Sequence, residues 1–205
     1  MTVLVSGFEP FGGGTANPSW ETARELAARG RELVGVDVAA VRLPVTFAGA
    51  WPVLAEAIRE HGPDVVVALG LAGGSRGMRL ERVAIDVLDA RIPDNDGAAP
   101  VDEPVVPGGP AAYWSGLPLK SALAALRALD VPAEVSNTAG TYVCNATFYH
   151  LMHHAAGTPG LRAGFVHVPP AEVLAVDAQV LATAAVVRAA LVGGREPVLA
   201  AGALD

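Results

Sequence analysis

The chain has 205 residues, 52% of them hydrophobic and 17% charged, with a formal net charge of −7 and a pI near 5.2. That length suits one full-sized core, and the acidic balance excludes a nucleic-acid surface, which needs clustered Lys and Arg. No apolar run approaches membrane-spanning length. The single cysteine excludes an internal disulfide framework and fits a reducing compartment. Met1 to Ser6 has no basic stretch of the kind that opens a signal peptide, so cytoplasmic residence is the expectation.

Thr2 to Ser6, apolar and β-branched, predicts a buried first strand closed by Gly7. The loop Phe8-Glu9-Pro10-Phe11-Gly12-Gly13-Gly14 carries two phenylalanines that so short a segment does not bury in an ordinary way. They either wall a ligand pocket or plug the sheet edge. Its glycines lack the G-x-G-x-x-G spacing of a dinucleotide site. Asn17 caps a helix with Pro18 at its first position, running to about Arg29. A strand is expected over Val34 to Leu43, a helix over about Phe47 to Glu60, and a central parallel strand over the unbroken apolar run Asp64 to Gly70. Strands alternating with helices imply right-handed crossovers and a three-layer α/β/α sandwich with a mostly parallel, mixed central sheet. Functional loops gather at the carboxyl ends of such strands.

The Gly70–Gly74 turn leads to Glu81–Asp86. Residues Asp89 to Pro110 are dense in charge and proline and lack periodicity, the mark of a functional or disordered loop. Ser121 to Leu129 predicts a helix and Ala133 to Ser136 a strand. Small polar residues from Asn137 to Thr141 then form a turn, and Tyr142 to Ala156 a helix with Cys144, Phe148, Leu151, Met152 and Ala155 at helical spacing. Arg162 to Val168 is a strand with Phe165 and His167 on one side, and Leu174 to Leu191 a closing helix. From Gly193 the chain reads as a weakly ordered tail, and residues 1–205 as a single domain.

Cys144 therefore falls in the first turn of a helix, where unpaired N–H groups and the helix dipole favour a thiolate nucleophile. Free cysteine is equally a small apolar core residue. A cysteine nucleophile needs a base, and the base an orienting group. Among five histidines, His150, His153 and His154 have a spacing that suits a metal, but no adjacent carboxylate or cysteine completes a ligand set, so they read as a partly exposed helix end. His167 differs, because it lies at the end of a strand between apolar residues. Glu81, placed at the start of a strand after a Gly-rich turn, is either the orienting carboxylate or one half of an ion pair with Arg79 or Arg82.

Six stretches then combine: Gly7-Phe8-Glu9-Pro10-Phe11-Gly12-Gly13 with Asn17-Pro18-Ser19; Ala72-Gly73-Gly74; Glu81-Arg82-Val83-Ala84-Ile85; Asp89-Ala90-Arg91-Ile92-Pro93-Asp94-Asn95; Ser136 to Asn145; and Gly164-Phe165-Val166-His167-Val168-Pro169. In this order, over residues 3 to 170, they resemble the pyroglutamyl-peptidase I family, cytosolic cysteine peptidases that remove an N-terminal pyroglutamyl residue from peptides. The resemblance implies a Glu81, Cys144, His167 triad with Arg91 supporting the oxyanion or the cysteine. It implies a pocket walled by Phe8, Phe11, Ile92, Tyr142 and Val143, no metal or cofactor, no nucleic-acid or membrane partner, and a homo-oligomer, dimer or tetramer. The chain departs from the family pattern at Ser75, where Arg is usual, at Asp86 for Asn, at Leu71 for Gln, and at Pro170 for Tyr, and its connection from His167 to the last helix is shorter. An inactive binding homologue, or a thiol hydrolase of another small amide, would share these motifs.

Overall fold

Side chains that alternate along each strand divide the core into two layers. A computed structural model describes residues 1–202; the last three residues of the expected tail lie outside the described residues. Strand β1 (Val3–Phe8), β2 (Val38–Leu43), β3 (Val65–Leu71) and β8 (Arg162–Val168) run parallel, and β4 (Met78–Glu81) with β7 (Ala133–Ser136) completes the sheet in the order β2-β1-β3-β8-β4-β7. The β4–β7 pair is itself parallel but runs antiparallel to β8, so the sheet is mixed. Val3, Val5, Val65, Val67, Leu69, Met78, Leu80, Val166 and Val168 point to one face. There α1 (Pro18–Ala28), α4 (Leu119–Ala128) and α6 (Val176–Val192) cover them with Leu26, Leu123 and Val186. Leu4, Val66, Ala68 and Phe165 point to the other face, under α3 (Ala50–His61) and α5 (Val143–Ala156) with Leu54, Ile58, Phe148 and Leu151. Fully burying a side chain of this size stabilises by about 1.5–3 kcal/mol. The architecture is the expected three-layer α/β/α sandwich.

Three local expectations are corrected. Residues Gly30–Val34 form a short helix, α2, so the second strand begins at Val38 rather than Val34. The valines at 34 and 36 suggested an extended chain, but Gly35 turns left-handed at φ 79° and ends the helix between them. Glu81 is the last residue of β4, not the first of a strand; Gly77 and the charged Arg79 hid this four-residue strand, which the sheet itself stabilises. The long irregular segment is closed by a small ribbon, β5 (Val83–Ile85) antiparallel to β6 (Ala112–Trp114). Residues 193–202 have neither helix nor strand. Even so, Glu196 accepts hydrogen bonds from the Lys120 and Ser121 backbone at the start of α4, and Ala201 accepts one from Arg82.

Candidate active site

Two strand pairings and one helix start bring the distant candidates together. In the β3–β8 pair Gly70 lies opposite His167, and in the β4–β8 pair Arg79 lies opposite His167. Phe165, Arg79 and Glu81 share that face, because residues two apart on a strand do. The ladder therefore puts Glu81 diagonally beside His167, and His167 Nδ1 donates to Glu81 Oε1 at 2.8 Å. Glu81 is fully buried and His167 nearly so. Phe165 packs against the imidazole with ring centres 4.9 Å apart.

Cys144 comes from the opposite direction, as the second residue of α5. The helix's first internal bond is Ala146 N–H to the Tyr142 carbonyl at 3.1 Å, so the N–H groups of Val143 and Cys144 precede the helical ladder. The thiol lies over Gly70: a Cβ there would stand 2.9 Å from Cys144 Sγ and 2.8 Å from Phe165 Cζ. Only glycine leaves room for the sulfur at this level of the sheet. Gly70 is the ladder partner of His167, so the thiol above it lies beside the imidazole. Burial alone would lower the His167 pKa, but its bonds to Cys144 and Glu81 and their charges outweigh it and raise the value to about 9. Thiol, imidazole and carboxylate thus stand side by side, with the imidazole in the middle and hydrogen-bonded to the carboxylate.

A cleft of about 220 Å³ opens at the sulfur, lined by Phe8, Phe11, Ala16, Asn17, Val45, Leu71, Gly73, Tyr142, Val143 and Cys144. Of the expected wall residues, Phe8, Phe11, Tyr142 and Val143 meet here. Ile92 does not line it and is exposed, as is Arg91. Phe8 is buried at the floor and Phe11 sits half-exposed at the rim, 5.6 Å from the Tyr142 ring. Sequence reasoning missed Phe47, which meets Tyr142 edge-on at 5.3 Å, and Asn145, whose amide holds the Ile85 N–H and the Ile85 and Val87 carbonyls. An asparagine buried in the first turn of an apolar helix was the available signal for the second.

The irregular loop braces the cleft rather than entering it. Asp94 accepts backbone N–H bonds from Phe47, Asp96 and Ala98, Asn95 donates to Glu9 Oε1 at 2.9 Å, and Tyr142 Oη donates to the Pro93 carbonyl at 2.9 Å. The departures at Ser75, Asp86 and Leu71 also have places. Ser75 Oγ donates to the Gly77 carbonyl, Asp86 accepts from the Val106 N–H, and Leu71 forms part of the cleft wall. Pro170 opens the turn that leads to α6. The three helix histidines pair with aromatics instead of converging: His150 stacks on Trp51, and His153 meets the Tyr113 hydroxyl.

Comparison with known proteins gives one answer. Residues 1–194 match the sequence model of the pyroglutamyl peptidase family. The pyrrolidone-carboxylate peptidase of Clavibacter michiganensis is 49% identical over 100% of this chain and 99% of its own length, and that of Streptomyces coelicolor 54% identical over 82% and 77%. Among solved structures, pyroglutamyl peptidase I of Bacillus amyloliquefaciens superposes with a TM-score of 0.89 at 39% identity, covering 96% of this chain and 99% of that one. The pyrrolidone carboxyl peptidase of Thermococcus litoralis does so with 0.84 at 34% identity, covering 93% of each. The chain belongs to the pyroglutamyl peptidase family.

Proposed function

We propose that this chain is a cysteine exopeptidase that hydrolyses the bond after an N-terminal pyroglutamyl residue of peptides, with Cys144 as nucleophile, His167 as acid and base, and Glu81 as the group that orients His167. The observation that carries the reading is the juxtaposition of Cys144 at the apolar cleft, His167 beside it over the Gly70 level of the sheet, and Glu81 hydrogen-bonded to His167. His167 takes the proton of Cys144, and the thiolate attacks the pyroglutamyl carbonyl carbon. The oxyanion lies before the first turn of α5, where the Val143 and Cys144 N–H groups point; one such donor contributes roughly 3 to 4 kcal/mol to the transition state. His167 returns the proton to the leaving amine, and water, deprotonated by His167, resolves the thioester. Every proton is handled by one imidazole, and no step calls for a metal.

The lactam ring is small and uncharged, and its faces suit the walls of Phe8, Phe11 and Tyr142. Arg91 and Ile92 act, in this reading, from the rim of the bound complex. The chain works as one catalytic domain in a homo-oligomer, dimer or tetramer, of the cytoplasm. The test is hydrolysis of pyroglutamyl-aminomethylcoumarin by the wild type and Cys144→Ala, beside prolyl and glutaminyl analogues. Release from the pyroglutamyl substrate alone, abolished in the variant, is the expected result. No turnover by the reduced, folded wild type would sink the proposal.

A further inference from the structure

One charge in the site has no part in the mechanism above. Arg79 stands on the sheet level of the reaction: Gly70 beneath the Cys144 sulfur, His167, Arg79 and Glu134 occupy successive strands β3, β8, β4 and β7, each opposite the next. Its guanidinium Nε is 3.1 Å from Glu134 Oε1 and 4.0 Å from Glu81 Oε1, and its Nη2 donates to Ser136 Oγ at 2.9 Å. Nε is buried and aligned on neither carboxylate, so its proton has no acceptor among the described residues. Glu81 is fully buried, and its Oε2 also lacks a partner among the described residues. The two unsatisfied atoms therefore belong to neighbouring side chains of opposite charge, and the Glu81 oxygen nearest Nε is Oε1, the one that His167 also holds.

We propose that Arg79 is a positioning residue for the site, its guanidinium being the second cation that holds the Glu81 carboxylate against His167. The groups facing Glu81 are few. His167 bonds it from β8, with Cys144 of α5 behind the imidazole, and Arg79 adjoins it on β4. On β7, Ser136 lies opposite Glu81, and Glu134, largely exposed, draws Arg79 the other way. A carboxylate taken out of water is held in its charged form only by partners. His167 supplies one hydrogen bond, and Arg79 supplies an opposite charge 4.0 Å from the same oxygen. Glu134 tunes the arrangement, since its exposed carboxylate competes for the same Nε.

This inference rests on the proposed triad, so the experiment reads the thiol apart from peptide hydrolysis. Cys144 is the only cysteine, which makes its alkylation by iodoacetamide a clean signal. The rate is measured from pH 4 to 10 for the wild type, Arg79→Met, Arg79→Lys and Glu134→Gln, with the pH profile of kcat/KM on the pyroglutamyl substrate alongside. In Arg79→Met the acid limb of both profiles moves up by about 1 unit or more. Arg79→Lys, which keeps the charge, returns it towards wild type, and Glu134→Gln moves it no higher than wild type. An Arg79→Met limb that superimposes on wild type overturns the inference, as does an Arg79→Lys limb displaced as far as that of Arg79→Met. If the wild type alkylates with this pattern but turns over no pyroglutamyl substrate, the peptidase reading fails and the role of Arg79 stands.

Discussion

At the scale of single residues, the site depends on what is missing as much as on what is present. Gly70 is the floor on which the sulfur rests, and a methyl group there would meet Cys144 Sγ at 2.9 Å and the Phe165 ring at 2.8 Å. The sulfur is the softer obstacle, because it sits at the end of a first-turn side chain, whereas Phe165 is fully buried between β8 and α5. Gly70→Ala therefore presses on the thiol and on the Phe165 ring together and displaces the thiol from His167. We expect kcat/KM to fall by about 100-fold, the effect of misplacing a reacting group by about 1 Å. Circular dichroism should stay unchanged and iodoacetamide alkylation should slow. A variant with full activity would show that the thiol is not held by this contact. Nothing near Gly70 in the sequence announced this role, since a glycine that ends an apolar strand reads as an ordinary turn.

At the scale of elements, the relevant question is how α5 is held so that its first turn meets β8. Tyr142 gives the helix no side-chain cap, and the apolar residues of α5 fix its distance from the sheet but not its position along its own axis. Asn145 supplies that position. Fully buried, it takes the Ile85 N–H and gives to the Ile85 and Val87 carbonyls, tying the residue after Cys144 to the strand that follows Glu81. Asn145→Ala removes the partner of three part-buried backbone groups, and the urea unfolding free energy should fall by about 1–3 kcal/mol. Activity should drop beyond what the unfolded fraction explains, because the helix start loses its anchor. Unchanged kcat in the folded fraction would restrict Asn145 to stability. The helix itself was legible from its apolar period and the turn before it; its partner in β5 was not, because the two are 60 residues apart.

For the whole molecule, the pairing of an imidazole with two acidic groups makes stability depend on pH with a definite sign. His167 has its pKa raised from an ordinary 6.5 to about 9 by Cys144 and Glu81, against its burial. Between those values the folded chain holds a proton that the unfolded chain releases, so the stabilisation is complete below 6.5 and is lost as pH rises through about 9. Denaturant unfolding of the wild type should show free energy declining across that window, and His167→Gln should flatten the decline. The alkaline limb of kcat/KM should fall in the same range, where the imidazolium disappears. A wild-type unfolding free energy that stays level from pH 6.5 to 9 would contradict the raised value.

The sequence by itself determined whatever depends on neighbours in the chain. Period and capping residues located α1, α5 and the buried strands, the alternation in β8 put His167 on the side of Phe165, and a turn before an apolar helix put Cys144 at its first turn. Local pattern also marked Phe8 and Phe11 as out of place in an ordinary loop. Only the tertiary structure decided the direction of β4, and with it that Glu81 ends a strand and reaches His167 diagonally across an antiparallel pair, with Arg79, opposite His167, near the same Glu81 oxygen. It likewise decided that Asp94 and Asn95 brace the cleft, through bonds to Phe47 and Glu9, while Arg91 and Ile92 between them stay exposed. The reason is physical. A four-residue strand such as β4 has too few residues to carry a hydrophobic period and owes its existence to the hydrogen bonds of β8 and β7 on either side. Contacts over such separations come from the closed sheet, which no stretch of sequence contains.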